Sequence, residues 1–294
     1  MKTLEALQRD MATTADLQSI VRTMKVLAAV SIRQYERAQE SLQHYTQTVE
    51  MGLQVVLQNQ SVSIEKIQKQ VQPPVGAIIF GSDHGLCGRY NESIAKFAMQ
   101  QLDKTNPSVD SRRILVVGAR IEASLHEMGQ AVEECFFVPG TVGNITGTVQ
   151  NILLKIDNWQ LEGVQRVMLF HHARQQRSNY PPQAGQLLPI DLNGFNHKQA
   201  KPWPSRSLPQ FSLPAEKLLS SLVRQHLFIQ LFNACAESLA GEHASRLMSM
   251  QVAEKNIKQR LESLTGIYRQ QRQGQITEEL LDVVSGFEAL HDKH

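Results

Sequence analysis

The sequence predicts an α/β protein: a long antiparallel two-helix coiled coil, formed by the N- and C-terminal segments, with a central Rossmann-like parallel-sheet domain. Residues 1–71 contain no proline and a single glycine, Gly52, and residues 215–294 again contain no proline. Between them, short apolar runs alternate with helical patterns. The predicted parts are an N-terminal rod helix (residues 1–71), an α/β globular domain (residues 72–200), a proline-rich connector (residues 201–214) and a C-terminal rod helix (residues 215–294).

The first helix is predicted from apolar residues that recur at helical spacing. Steps of three, four and seven residues indicate one apolar stripe, with a phase slip between Met11 and Leu17. Its members are Leu4, Leu7, Met11, Leu17, Ile20, Met24, Leu27, Ile32, Tyr35, Leu42, Val49, Leu53 and Val56. A helix of this length would reach about 80 Å, so it needs a partner helix to cover the stripe.

The C-terminal segment supplies that partner. Its apolar residues repeat in the same steps from Leu218 to Tyr268, and Pro214 stands just before the start, where proline is tolerated. A helix through Leu290 would be on the order of 110 Å long. Gly274 indicates a small break near its end. Small or polar residues in the stripes favour pairing within one chain over a tight leucine zipper.

The middle of the chain reads as alternating strands and helices, which implies a parallel sheet covered on both faces. Strands are predicted at 75–80, 114–118, 135–138 and 167–170, with an edge strand at 187–192. Helices are predicted at 91–102, 120–128 and 145–159. The connector, residues 201–214, contains four prolines and cannot form a regular helix.

Composition and sequence patterns argue against nucleic-acid-binding, disulfide-bonded and membrane-spanning proteins. With 30 basic and 28 acidic residues the net charge is +2, which gives no argument for a nucleic-acid partner. The three cysteines form no CxxC pair and indicate reduced thiols. No apolar run approaches the roughly 18 residues that span a bilayer, and the N-terminus lacks a signal-peptide pattern, so no direct membrane insertion is expected.

The glycine-rich loop at 81–88 (GSDHGLCG) stands between a predicted strand and a predicted helix, where a phosphate-binding loop would lie. Its spacing matches neither GxGxxG nor GxxxxGK[ST], so a tight turn is the better interpretation. Cys87 would need a neighbouring base to act as a nucleophile, and packing is favoured. Asp83 and His84 are weak evidence for acid–base chemistry. His171 and His172 form no metal-ligand pattern. We expect no catalytic, cofactor or metal site.

Four ordered stretches resemble the γ-subunit family of rotary F-type ATP synthases. Residues 20–33 resemble its first-helix signature, and residues 81–91 its SDRGLCGGLN motif. Residues 242–256 and 268–286 resemble its two C-terminal blocks. The chain departs from the family at His84, at Arg89-Tyr90, at Arg269, and at residues 30–31 and 35–36. These departures favour a divergent branch, for which the alternate sodium-linked F-type ATPases are one candidate.

The resemblance implies a non-catalytic rotor shaft that couples ion flow to ATP synthesis or hydrolysis. The implied partners are the α and β subunits of the catalytic hexamer, the ε subunit and the membrane ring of c subunits. The implied location is peripheral, on the cytoplasmic face of a bacterial-type inner membrane. The implied contacts with the catalytic subunits are Met24, Lys25, Arg246, Arg272, Gln273 and Thr277. The implied ring- or ε-facing loop residues are Asp83, His84, Gly85 and Cys87.

Two alternatives stay open on the residues alone. One is a coiled-coil scaffold protein, which would associate with itself without α and β subunits. The other is a nucleotide-binding α/β enzyme, which would bind ATP or NAD as an isolated chain.

Overall fold

The computed structural model describes residues 3–59, 74–105, 108, 111–175, 179–190 and 210–291. These residues form two compact units. The helical unit comprises residues 3–28 and 246–291, and the α/β unit comprises the described residues between 29 and 245. The predicted end of the first helix at residue 71 and most of the predicted connector lie outside the described residues.

Two long helices contribute residues to both units. Helix α1 spans Leu4–Asn59 and helix α5 spans Ala215–His291. Neither helix contains a proline, so the series of backbone hydrogen bonds is not interrupted in either one. The predicted break at Gly274 is wrong, because α5 continues through it. An isolated exposed glycine costs a helix only about 1 kcal/mol, and its neighbours keep their own hydrogen bonds. Among the described residues, no helix has the length and apolarity needed to cross a membrane.

In the helical unit, α1 and α5 pack antiparallel. Gln8 Nε2 donates to Tyr268 Oη at 2.8 Å, and Lys25 contacts Glu254 further along. Among the described residues of this unit, only four apolar side chains are buried: Leu7, Ala28, Met250 and Leu264.

The predicted α1 stripe is partly wrong in the helical unit. Leu17, Ile20 and Leu27 are 49%, 55% and 61% exposed. One partner helix covers only a narrow strip of another, so the wider apolar surface of α1 remains open to solvent.

In the α/β unit, the same two helices again pack antiparallel. Gln39 Nε2 donates to Glu237, and Tyr45 Oη donates to Gln225 at 2.8 Å. Val49, Leu53 and Ile229 form a small apolar cluster between the helices. These α1 residues are buried as the stripe predicts.

The α/β unit also contains a five-stranded sheet in the order β3-β2-β1-β4-β5. In chain order its elements are β1 Val75–Phe80, α2 Tyr90–Thr105, β2 Arg112–Val117, α3 Ala119–Glu127, β3 Glu134–Phe136, α4 Val142–Leu161, β4 Arg166–His172 and β5 Pro182–Leu188. Strands β1 to β4 are parallel, as predicted. All six residues of β1 are buried, because it lies at the centre.

The edge strand differs from its prediction. It begins at Pro182, ends at Leu188 and pairs antiparallel with β4. Only its last two residues are buried, so it lacks the apolar run that reveals a strand in sequence. The link from β4, residues 173–181, is too short for the crossover that a parallel partner requires. Residues 191–192 of the predicted strand lie outside the described residues.

Side chains cover both faces of the sheet. On one face, α2 and α3 bury Ile94, Leu102, Ile121 and Leu125 against β1 and β2. On the other face, α4 buries Trp159 together with residues of α1 and α5, including Tyr35 and Leu231. The sheet therefore brings α1, α5 and the loops at its carboxyl edge into one unit.

Candidate partner-contact sites

Asp83 anchors the glycine-rich loop to the rest of the α/β unit. Its carboxylate accepts a 2.9 Å hydrogen bond from Ala119 N and a 2.8 Å hydrogen bond from Val138 N. Ala119 begins α3, so the carboxylate occupies the position where a helix N-terminus would receive an anion. This intramolecular use of Asp83 argues against a phosphate site in the loop.

Cys87 is part of the packing beneath the loop. It is 2% exposed, and its thiol lies 3.7 Å from the carbonyl oxygen of His84. Asn91 braces the same turn: its amide donates to Ser82 Oγ at 2.8 Å, and its side-chain oxygen accepts from Ser82 N. This burial agrees with the favoured interpretation of Cys87 as a packing residue.

The outer surface of the loop is formed by other residues. His84 and Leu86 are exposed, and Leu86 is 61% exposed. Leu86 also has a positive φ of 63°, which is costly for a residue with a branched side chain. Sequence reasoning missed Leu86. An apolar residue inside a glycine-rich loop was the available signal.

In the helical unit, Lys25 lies against the opposite helix. Its ammonium group is 2.5 Å from Glu254 Oε2, and Arg22 Nε donates to Glu254 Oε1 at 3.1 Å. Hydrogen bonds from Lys25 and then Arg22 hold the pKa of Glu254 below its usual value. Met24 is half-buried, and Arg246 is 8% exposed. Of these residues, Arg246 offers a partner the least surface.

We predict that Lys25 and Glu254 act as one unit in stability. Lys25→Met and Glu254→Gln should each lower the free energy of unfolding, and the double variant should cost no more than Glu254→Gln alone. Urea denaturation of the four proteins in this cycle measures the coupling. Additive losses would show that the contact contributes nothing. The loss of unfolding free energy caused by Glu254→Gln should become smaller at acid pH. Glu254 has a lowered pKa in the folded chain, so its carboxylate stabilises the fold only while it is ionised, and acid protonates it.

The last described part of α5 forms an exposed surface. Every side chain from 272 to 285 is exposed, including the predicted contact residues Arg272, Gln273 and Thr277. Thr277 Oγ1 donates to the carbonyl oxygen of Gln273 at 2.9 Å, so these two positions share a face. Five large apolar side chains are exposed in the same segment: Ile276, Leu280, Leu281, Val283 and Val284. The predicted residues thus lie within an apolar surface that the two helices leave uncovered.

The predicted site residues are divided between the two units. Asp83, Gly85 and Cys87 belong to the α/β unit, and Met24, Arg246 and Thr277 belong to the helical unit. No group of histidine, cysteine, aspartate and glutamate side chains in the described chain is arranged to hold a metal ion.

The chain is similar to known proteins over nearly its whole length. A family model described as ATP synthase matches residues 3–290. The chain is 28% identical to the ATP synthase gamma chain of Bdellovibrio bacteriovorus, with 99% of each covered. It is 26% identical to the gamma chain of Pelagibacter ubique, covering 99% of this chain and all of that one.

Solved structures show the same fold. The chain resembles a chain of the Euglena gracilis mitochondrial ATP synthase rotor, with a TM-score of 0.64 at 13% identity; 93% of this chain and 98% of that one are covered. It also resembles a chain of the central stalk and c-ring of the Tetrahymena thermophila mitochondrial enzyme, with a TM-score of 0.56 at 20% identity; 80% of this chain and 99% of that one are covered.

Proposed function

Because the chain belongs to the ATP synthase family, we propose that it is the central rotor shaft of an F-type ATP synthase. It is the gamma subunit and has no active site of its own. Its work is to couple ion flow through a membrane ring to ATP synthesis or hydrolysis in a catalytic hexamer. Its partners are the α and β subunits of that hexamer, the ε subunit and the ring of c subunits.

The observation that carries this proposal is the exposed apolar end of α5. A monomeric protein seldom leaves five large apolar residues open within 14 consecutive helical positions, and such a surface marks a partner. In a gamma subunit the partner is the inner wall of the catalytic hexamer. The exposed Leu17, Ile20 and Leu27 of α1 extend this apolar character within the helical unit.

We assign the contacts of the helical unit to the catalytic subunits. The contact residues are Met24, Lys25, Arg246, Arg272, Gln273 and Thr277. Exposure supports the last three most directly, and Arg246 least. The ammonium group of Lys25 contacts Glu254, so a contact between Lys25 and a catalytic subunit has to share that side chain with Glu254.

We assign the loop that contains Asp83, His84, Gly85 and Cys87 to the side of the α/β unit that faces the ring or the ε subunit. Their roles differ: Asp83 and Cys87 hold the loop in shape, and His84 provides exposed side-chain surface.

The mechanism follows from asymmetry. A single chain without internal symmetry presents a different surface to each of the catalytic subunits that surround it. A surface that binds one conformation of a catalytic subunit better than another shifts the population of that subunit. Rotation then delivers the same shift to each subunit in turn. The chain thereby changes nucleotide affinity without binding nucleotide.

The chain works in a membrane-associated complex. We place it on the cytoplasmic face of a bacterial-type inner membrane, a placement supported by its likeness to bacterial gamma chains.

The proposal is tested by reconstitution. Purified α and β subunits are assayed for ATP hydrolysis with and without this chain, and the complex is sized. One copy that joins the hexamer and stimulates steady hydrolysis would support the shaft. Failure to join where a known gamma subunit joins would contradict it, and stable self-association alone would favour a scaffold protein.

We predict that Gln273→Ala combined with Thr277→Ala lowers ATP hydrolysis by the assembled complex about tenfold. The change removes two polar side chains, and each lost hydrogen bond to a catalytic subunit costs about 0.5–1.5 kcal/mol. The matched control is Gln259→Ala with Ser263→Ala, an exposed polar pair at the same spacing on α5. Unchanged hydrolysis in a complex of normal size would contradict these contacts.

A further inference from the structure

Strand β4 ends in two adjacent histidines that face opposite sides of the sheet. His172 packs against α2: its ring stacks on Tyr90 with centroids 4.1 Å apart and an interplanar angle of 24°. Its Nε2 lies 3.0 Å from Ser93 Oγ. His172 is 3% exposed, although nothing in the proposed function uses it.

Tyr90 extends this contact to α5. Its hydroxyl donates to the carbonyl oxygen of Ser238 at 2.7 Å and lies 2.6 Å from Ser238 Oγ. Both residues are buried. The series His172, Tyr90 and Ser238 therefore joins β4, α2 and α5 inside the α/β unit. We call this series the junction.

The hydrogen bonds determine where a proton would bind. Ser93 Oγ donates its one hydrogen to the carbonyl oxygen of Tyr90 at 2.9 Å, so it accepts from His172 and Nε2 carries a hydrogen. The free lone pair of His172 then lies on Nδ1. That atom is buried and has no hydrogen-bond partner among the described residues. A proton there would create a buried cation whose N–H has no acceptor.

The charged groups around the junction come from several elements. Glu237 of α5 contacts His171 and accepts from Gln39 of α1. Glu36 of α1 accepts from Tyr180 and pairs with Arg174.

Burial shifts the pKa values of the junction residues. Glu242 of α5 is buried, and burial of Tyr90, followed by the charge of Glu242, raises the pKa of Tyr90. Burial first, and His171 second, lower the pKa of His172 to about 3.

We propose that the junction is an acid-sensitive latch. Proton uptake at His172 Nδ1 drives the imidazole out of its stack on Tyr90, and the loss of that support releases α2 and β4 from α5. This inference depends on the fold alone and does not require the proposed function.

Low pH favours opening of the junction, because the pKa of His172 is lower in the closed junction than in the open one. His172 is neutral in the closed junction, and its pKa returns to its ordinary value near 6.5 when the junction opens. The closed state is therefore fully stabilised above pH 6.5, and it loses that stabilisation as the pH falls from there towards 3. Between about pH 7.5 and about pH 5, linkage predicts roughly a thirtyfold increase in opening.

Hydrogen–deuterium exchange of the full chain tests the latch, with rates corrected for the intrinsic effect of pH. Peptides covering α2 and residues 231–242 of α5 should lose about thirtyfold in protection between about pH 7.5 and about pH 5. Strand β1 should keep its protection. His172→Phe retains a buried ring without a titratable nitrogen, so the acid response should vanish. His126→Gln, at an exposed histidine of the same unit, should retain it.

Tyr90→Phe gives a second measurement that does not depend on His172→Phe folding. It removes the hydroxyl that contacts Ser238, so the faster exchange of residues 231–242 should appear already at about pH 7.5. Protection that does not change with pH in the unaltered chain would overturn the latch. An acid response that persists in His172→Phe, or normal α5 protection in Tyr90→Phe, would overturn it equally.

Discussion

Gly118→Ala is expected to destabilise the α/β unit by about 3 kcal/mol or more. Gly118 lies between β2 and α3 with a φ of 123°, a conformation that side chains strongly disfavour. An added Cβ would lie 2.7 Å from the carbonyl oxygen of Ser82 and 2.8 Å from its backbone nitrogen. Backbone atoms cannot move aside as the end of a side chain can, so the loop that follows β1 must shift.

The consequence extends to the loop contacts. Ser82 O accepts from Arg120 N at 2.9 Å, and the neighbouring Asp83 holds the start of α3. Urea denaturation of the full chain measures the cost. Gly147→Ala is the matched control, because Gly147 lies in α4, where an added Cβ would meet no atom within 4 Å apart from its chain neighbours and the backbone of its own helix. That control should be neutral or stabilising by up to about 1 kcal/mol. Equal stability of the two variants would show that the backbone of Ser82 can move away from an added Cβ at Gly118 at little cost.

Trp159→Ala is expected to cost about 3–5 kcal/mol. Trp159 is fully buried on α4, and its ring lies so close to β1 that a Cβ on Gly76 would come within 2.7 Å of it. Its indole Nε1 also donates to Glu133 at 3.1 Å. Truncation would leave a cavity against the central strand and remove the donor to this carboxylate.

The measurement is unfolding in urea followed by far-ultraviolet circular dichroism. Leu161→Ala is the control on the same helix: Leu161 is 88% exposed, so its loss should change stability by about 0.5 kcal/mol or less. Trp159→Phe separates the hydrogen bond from most of the packing, because it keeps a buried aromatic ring but has no N–H to donate to Glu133. A small effect of Trp159→Ala would mean that the sheet and α4 collapse into the cavity.

Local patterns predicted most of the elements. Strands at 75–80 and 167–170 were recognisable because a buried parallel strand is a continuous apolar run. The observed strands, Val75–Phe80 and Arg166–His172, contain those runs. The helices at 91–102 and 145–159 were recognisable from their repeat and lie within longer observed helices. Strand β5 was misplaced because a solvent-facing edge strand carries no such run.

The candidate sites were predictable only in part. Two of the four motifs singled out the glycine-rich loop and the end of α5, and Gln273 and Thr277 are exposed at that end of α5, as partner contacts require. Sequence gave no sign that the carboxylate of Asp83 is used by α3 and by the segment after β3, because those donors lie 36 and 55 residues away.

By itself, the sequence determined the two long helices, the parallel core of the sheet and the family, because each depends on residue type and on spacing along the chain. Only the tertiary structure decided which side chains are covered. Ile20 and Ala28 lie on the same helix, yet Ile20 is 55% exposed and Ala28 is 1% exposed. Tertiary packing also enclosed His172 between α2 and its own strand. Burial and hydrogen bonding depend on neighbours that are distant in sequence, and no local pattern encodes where those neighbours will lie.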